Sequence, residues 1–318
     1  MMLSRVAERV YWMARYLERT ENTARLINVH TSMMMDLPKR MEINWFTLIN
    51  LFNADDIFRE RYERVTEKNI MQFLIADRDN PVSLASSLFS VRENVRTSLD
   101  LLPDETWQQV NQAHIQLNNA LEVIGKRHTR LNLLRSLQRA CQCINGVIDS
   151  YMSRDHTFDF MQAGRQLERA DMSSRILEMA SLLMSEQRSE TMRKYEGILW
   201  TNLLQALSAR QMYQQHVQPR VRSREVLKFL VLDEGFPRSL RYSLVDIGKS
   251  LGNLPEPELA LAMQNRILAH LKKQDLNFSP DAPVHALMDH LQGELGELHA
   301  EISRTWFHPD RDGQMQSQ

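Results

Sequence analysis

The segment RYLERTENTAR, Arg15 to Arg25, returns 150 residues later as RQLERADMSSR, Arg165 to Arg175. Both copies fit RxLERx[DE]xxxR, with Arg, Leu, Glu, Arg and the final Arg identical. Apolar residues on either side recur at three- and four-residue steps, which places each copy on a long helix. The same period runs through nearly every other segment, and sustained alternation of period two is absent, so the chain reads as all-α.

The spacing predicts helices at about 3–34, 44–52, 56–62, 67–76, 81–101, 104–123, 128–153, 158–186, 190–216, 222–232, 237–251, 255–273 and 283–305. Turns fall at Pro38, Asn80-Pro81, Pro103, Pro219, Gly235 with Pro237, and Pro255 with Pro257. None reads as a linker. We therefore expect one domain over 1–308, a large multi-helix bundle with pseudo-halves at about 1–150 and 151–308. The halves would be two interlocked bundles, from either a diverged duplication or a convergent pair of sites, with little similarity read outside the motif. A mobile tail is expected over 309–318.

Composition narrows the function classes. The 318 residues are 43% hydrophobic and 25% charged with a net charge of −1, which argues against a polyanion binder. Eight of the 39 basic residues are lysine and the other 31 arginine. Arginine is favoured where a rigid fork meets a carboxylate or phosphate, although biased genome composition gives the same surplus. Cys141 and Cys143, two apart, point to different helix faces and suggest no disulfide or zinc site. Arg5, Glu8 and Arg9 interrupt any signal-peptide core, and no apolar run is long enough to span a bilayer, so a cytoplasmic location is expected.

On a helical wheel with Arg15 at zero, Glu18 falls at about 300°, Glu21 at about 240°, Asn22 at about 340° and Arg25 at about 280°. Arg19 lies off to one side at about 40°, so the adjacent Glu18 and Arg19 do not face each other. Within one helix the natural pairs are Arg15–Glu18 and Glu21–Arg25, and in the second copy Arg165–Glu168 and Asp171–Arg175. Ala14 and Gly164 put a small side chain in each stripe, and Tyr11, Leu26, Met161 and Ile176 set bulky apolar groups beside the charges. A solvated face gains nothing from that mixture, so the stripe is expected to face inward.

Two readings follow. The motifs are ion-pair networks clamping two helices, or they line one cleft in which arginines (Arg15, Arg19, Arg25, Arg165, Arg169, Arg175) with Glu21 and Asp171 bind an anionic ligand. In the second case Glu18 and Glu168 would act as acid and base. VRENVR adds Arg92 and Arg96 as candidates. DEGFPRSLRYS adds Arg238 and Ser239 in the opening turn of a helix, where an anion or carboxylate is favoured. No His follows Glu18 or Glu168 at di-iron spacing, and His30, His114, His128, His156, His285, His290 and His299 show no ligand pattern, so no metal or cofactor is expected.

The pieces AERVYWMARYLERTENTARL, FSVRENVRTSL, MSRDHTFDFMQAGRQLERADMSSRIL and FLVLDEGFPRSLRYSL, in this order over residues 7–244, resemble the bacterial alpha-E family of all-helical proteins with a repeated Glu-Arg motif. His156 stands where that resemblance leads us to expect a small residue. The resemblance implies association with a circularly permuted ATP-grasp protein, and with transglutaminase-like and proteasome-like proteins, in a system that makes or modifies peptides. It brings no established reaction. The expected function is a non-catalytic partner or substrate-handling subunit of an ATP-grasp peptide or amide ligase. The alternatives are an enzyme built on Glu18 and Glu168, or a structural module forming homo-oligomers. No nucleic acid or membrane partner is expected.

Overall fold

The computed structural model describes residues 4–36, 44–185, 190–273 and 284–308, so the tail expected over 309–318 lies outside the described residues. Fourteen α-helices and no strand occur among them. The first half runs α1 (Ser4–Asp36), α2 (Phe46–Leu51), α3 (Asp55–Arg61), α4 (Glu67–Met71), α5 (Leu84–Arg96), α6 (Asp104–Ala120) and α7 (Arg127–Tyr151). The second runs α8 (His156–Ser185), α9 (Glu190–Ala206), α10 (Arg210–His216), α11 (Ser223–Leu232), α12 (Leu240–Gly252), α13 (Glu258–Lys273) and α14 (Val284–Ile302).

The two halves repeat one packing scheme. In the first, α5 and α7 lie against the motif helix α1, and α6 closes the bundle against both. In the second, α12 and α14 lie against α8, and α13 closes it in the same way. The most extensive helix pairing in the molecule is α1 against α8. Two four-helix bundles are thus interlocked along the seam where the repeated motifs meet.

The similarity between the halves extends beyond that motif, contrary to the expectation of little similarity elsewhere. FLIADRDNPVSLASSL (73–88) and FLVLDEGFPRSLRYSL (229–244) share FLxxD and PxSLxxSL in the same register. The shared chemistry is local. Ser83 and Ser239 are the N-caps of α5 and α12, accepting from Ser86 N and Tyr242 N, each at 3.0 Å. Asp77 and Asp233 each tie the preceding turn by accepting from a backbone N–H two residues on. Val82 stands where the second half has Arg238.

Most helices lie where expected, and the departures have causes. The helix expected over 190–216 breaks between Ala206 and Arg210, because Ser208 takes a left-handed φ of 53°. No Gly or Pro announced that break. The caps move the starts expected at 81 and 237 to Leu84 and Leu240, leaving Pro237 outside α12. The segment expected over 67–76 changes to a π-helical turn at Gln72–Ala76. Among the described residues no helix is long and apolar enough to cross a membrane.

Candidate functional site

At the α1–α8 seam the motif carboxylates are sealed: Glu18 is 0% and Glu168 1% exposed. Such burial requires each charge to be paired and hydrogen-bonded. The pairing crosses between the helices. Arg169 of α8 donates to both oxygens of Glu18, at 3.2 and 2.8 Å. Arg19 of α1 donates to both oxygens of Glu168, at 2.6 and 3.0 Å. The Glu-Arg dipeptide of each copy therefore meets the Arg-Glu of the other, as identical patches meet across a two-fold axis. Adjacent Glu and Arg on one helix diverge, so both can be used only by a partner helix.

This corrects the pairs expected within each helix. Arg15 donates not to Glu18 but to Glu168, at 2.8 Å. Arg165 does not meet Glu168; it turns to Asp149 of α7 at 3.1 Å and to Gln162. Its place beside Glu18 is taken by Arg238, which donates to Glu18 at 2.8 Å, Asn22 at 2.9 Å and Glu21 at 3.2 Å. The i,i+4 pairs do form, Arg25 with Glu21 and Arg175 with Asp171. Asn22 completes the group by donating to Glu18 and accepting from Arg25.

Arg92 and Arg96 lie outside this cluster. Both are bound to Glu93, and Arg92 also donates to Asn111 of α6 at 2.9 Å. Ser239 is fully buried as the cap of α12, and its hydroxyl donates to the Asp233 carbonyl, so it has no capacity left for an anion. Glu234, in the loop before α12, pairs with Arg241 in its first turn. Arg238, legible as a candidate, carries a cation from the turn before α12 across to the carboxylates of α1.

Small residues at the seam bring the helices together. A Cβ placed on Gly164 would sit 2.5 Å from the Tyr11 carbonyl oxygen. The space that a side chain at Gly164 would need is filled by Tyr11 of the partner helix. Tyr11 itself is fully buried, stacks on His299 with centroids 5.7 Å apart, and shares a 3.0 Å hydrogen bond with His299 Nδ1. Burial pushes its hydroxyl up to about 12. Leu26 and Ile176, just beyond the last arginine of each motif, line an apolar groove among α1, α2, α8 and α9.

The electrostatics favour fixed charges. Burial raises Glu168, but Arg19 and Arg15 outweigh it and hold the carboxyl down at about 2. Burial likewise works against ionised Glu18, and Arg169 with Arg238 holds it well below the usual carboxylate range. Arg238 itself moves the other way. Desolvation, with repulsion from Arg25 and Arg169, outweighs Glu18 and pushes it down to about 10, still charged at neutral pH. It shares its carboxylate partners with Arg169 and Arg25.

Beyond the motif on α1, buried His30 shares a 3.1 Å hydrogen bond with the Asn44 carbonyl through Nε2. Desolvation lowers its pKa to about 4, against 6.5 in an unfolded chain. The unfolded state thus takes up a proton below pH 6.5 that the folded state refuses until about pH 4, so stability falls as pH drops through that window. The expected loss from His30 between pH 7.5 and 4.5 is about 2–3 kcal/mol. Urea titrations at the two pH values check it: His30→Gln should lose correspondingly less than wild type, and equal losses would overturn the assignment. Glu168, depressed in the folded state, adds a separate loss only below about pH 4.5.

The chain belongs to the Alpha-E family, whose model matches residues 2–307 and is described as a predicted alpha-helical domain with a conserved ER motif. No curated protein and no solved structure matches it.

Proposed function

We propose that this chain is a non-catalytic helical partner of an ATP-grasp peptide or amide ligase, holding the ligase's substrate or positioning the ligase itself. The observation that carries the non-catalytic part is the saturation of Glu18 and Glu168. Each is buried, bound by two guanidiniums and held ionised. A general acid or base needs an exchangeable proton near neutral pH and access to substrate, and these carboxylates have neither. The ligase part rests on the family resemblance, which associates such chains with a circularly permuted ATP-grasp protein.

The test is co-expression of this chain with the ATP-grasp protein of its own genome, gel filtration, and an ATP-dependent ligation assay with and without the chain. A stable complex and ligation that depends on the chain are expected. No complex together with unchanged ligation would overturn the reading. Turnover by the isolated chain, lost in Glu168→Gln, would favour the enzyme alternative instead.

A further inference from the structure

Away from the motif seam, α13 and α14 bring together three groups that the sequence holds far apart or hides within one helix. His270 of α13 and His290 and Glu294 of α14 place their ligand atoms within 4.8 Å of one another. His270 Nδ1 is 3.2 Å from Glu294 Oε2, and His290 Nε2 is 3.7 Å from Glu294 Oε1. The two imidazoles stand edge to face with centroids 4.8 Å apart. Glu294 is buried and His290 exposed, so the group is anchored at its base and open to solvent at its mouth.

We infer that His270, His290 and Glu294 form a binding site for a divalent transition-metal ion of the Zn²⁺ type. Two imidazoles and one carboxylate are a donor set that suits zinc, cobalt, nickel or copper and not the hard oxygen-seeking ions. His290 and Glu294, one helical turn apart, point the same way from α14, and His270 supplies the third donor from the facing helix. Metal–ligand bonds of about 2.0–2.2 Å set neighbouring donors about 3.4 Å apart in a tetrahedron. Rotation of the exposed His290 ring closes the remaining distance. Three protein donors leave a position for water, and the ion would pin α13 to α14 across the closing side of the second bundle.

The site was missed in the sequence because His270 is 20 residues from His290, and a His-x-x-x-Glu step alone is common on solvated helices. Antiparallel packing supplies the third ligand, and no linear spacing shows it. Arg266 and Glu297 also pair across the same two helices, at 2.9 Å.

Untagged, metal-stripped protein titrated with Co²⁺ and then Zn²⁺, followed by Co²⁺ visible absorption and calorimetry, tests the inference. About one ion per chain is expected, with His270→Ala and His290→Ala each weakening affinity by about tenfold or more. Cys143→Ala, which removes the exposed thiol, should leave binding unchanged. Circular dichroism in chelator should show the variants as helical as wild type, and the exposed His290 keeps the test valid even if the His270 variant unfolds. No stoichiometric binding, or wild-type affinity in a folded histidine variant, would overturn the site and leave only histidine–glutamate hydrogen bonds.

Discussion

Replacing Glu18 with Gln is expected to destabilise the fold by about 3–5 kcal/mol, a drop on the order of 10 °C in melting temperature. The reason is the charge inventory at the seam. Glu18, Glu21 and Glu168 balance Arg15, Arg19, Arg25, Arg169 and Arg238, so guanidiniums already outnumber carboxylates by five to three. Among the described residues, removing Glu18 takes away the one carboxylate that Arg169 is bonded to and leaves Arg238 bonded to Glu21. Those cations are largely screened from water, with side chains 12% and 11% exposed, and a poorly compensated, desolvated charge is what makes breaking such a pair costly. Removing Arg238 together with Glu18, as Glu18→Gln with Arg238→Met, should cost less than the sum of the two single changes by about 1–3 kcal/mol, because each single change removes one of the two charged partners of the other residue. Thermal and urea unfolding of the four proteins read out the cycle. A Glu18→Gln protein within about 1 °C of wild type would show that the crossed pairs contribute specificity of packing and little stability.

The fold was largely legible because its determinants are local. A three-to-four period, few glycines and prolines, and a doubled charged motif give helices, two halves and an inward stripe. The partners of the charges were not legible, since a helical wheel compares residues on one helix and Glu18 finds Arg169 on another. Two clues pointed outward: the small Ala14 and Gly164 in each stripe, and the divergence of Glu18 and Arg19 on the wheel, which a second helix can answer. The repeated FLxxDxxxPxSLxxSL pattern also relates the two halves, but its identities are apolar, capping and turn residues that look generic until α5 and α12 are seen in equivalent places. His270 illustrates the converse, a residue whose partners depend wholly on which helices end up side by side.

Gly164→Ala should destabilise the protein by about 1–3 kcal/mol, even though alanine is the better helix former. In an open helix interior the change would help by up to ~1 kcal/mol, through lower unfolded-state entropy and better propensity. Here the new methyl would lie 2.5 Å from the Tyr11 carbonyl oxygen and 3.1 Å from Tyr11 Cδ2. The nearest atom is backbone, already committed within α1, so no side-chain rotation relieves the contact and the helices must move apart. That movement acts on the crossed bonds of the same seam, Arg19 to Glu168 and Arg169 to Glu18, whose lengths of 2.6–3.2 Å leave little room to stretch. Gly146 on α7 is the matched control, because a Cβ there meets nothing within 4 Å. Gly146→Ala should be neutral or slightly stabilising. Opposite signs at the two glycines, measured by urea unfolding, would locate the constraint in the contact of α1 with α8. A shared small gain would mean that the seam gives way readily, and the motif arginines would then have to hold their carboxylates across a looser interface than the one described.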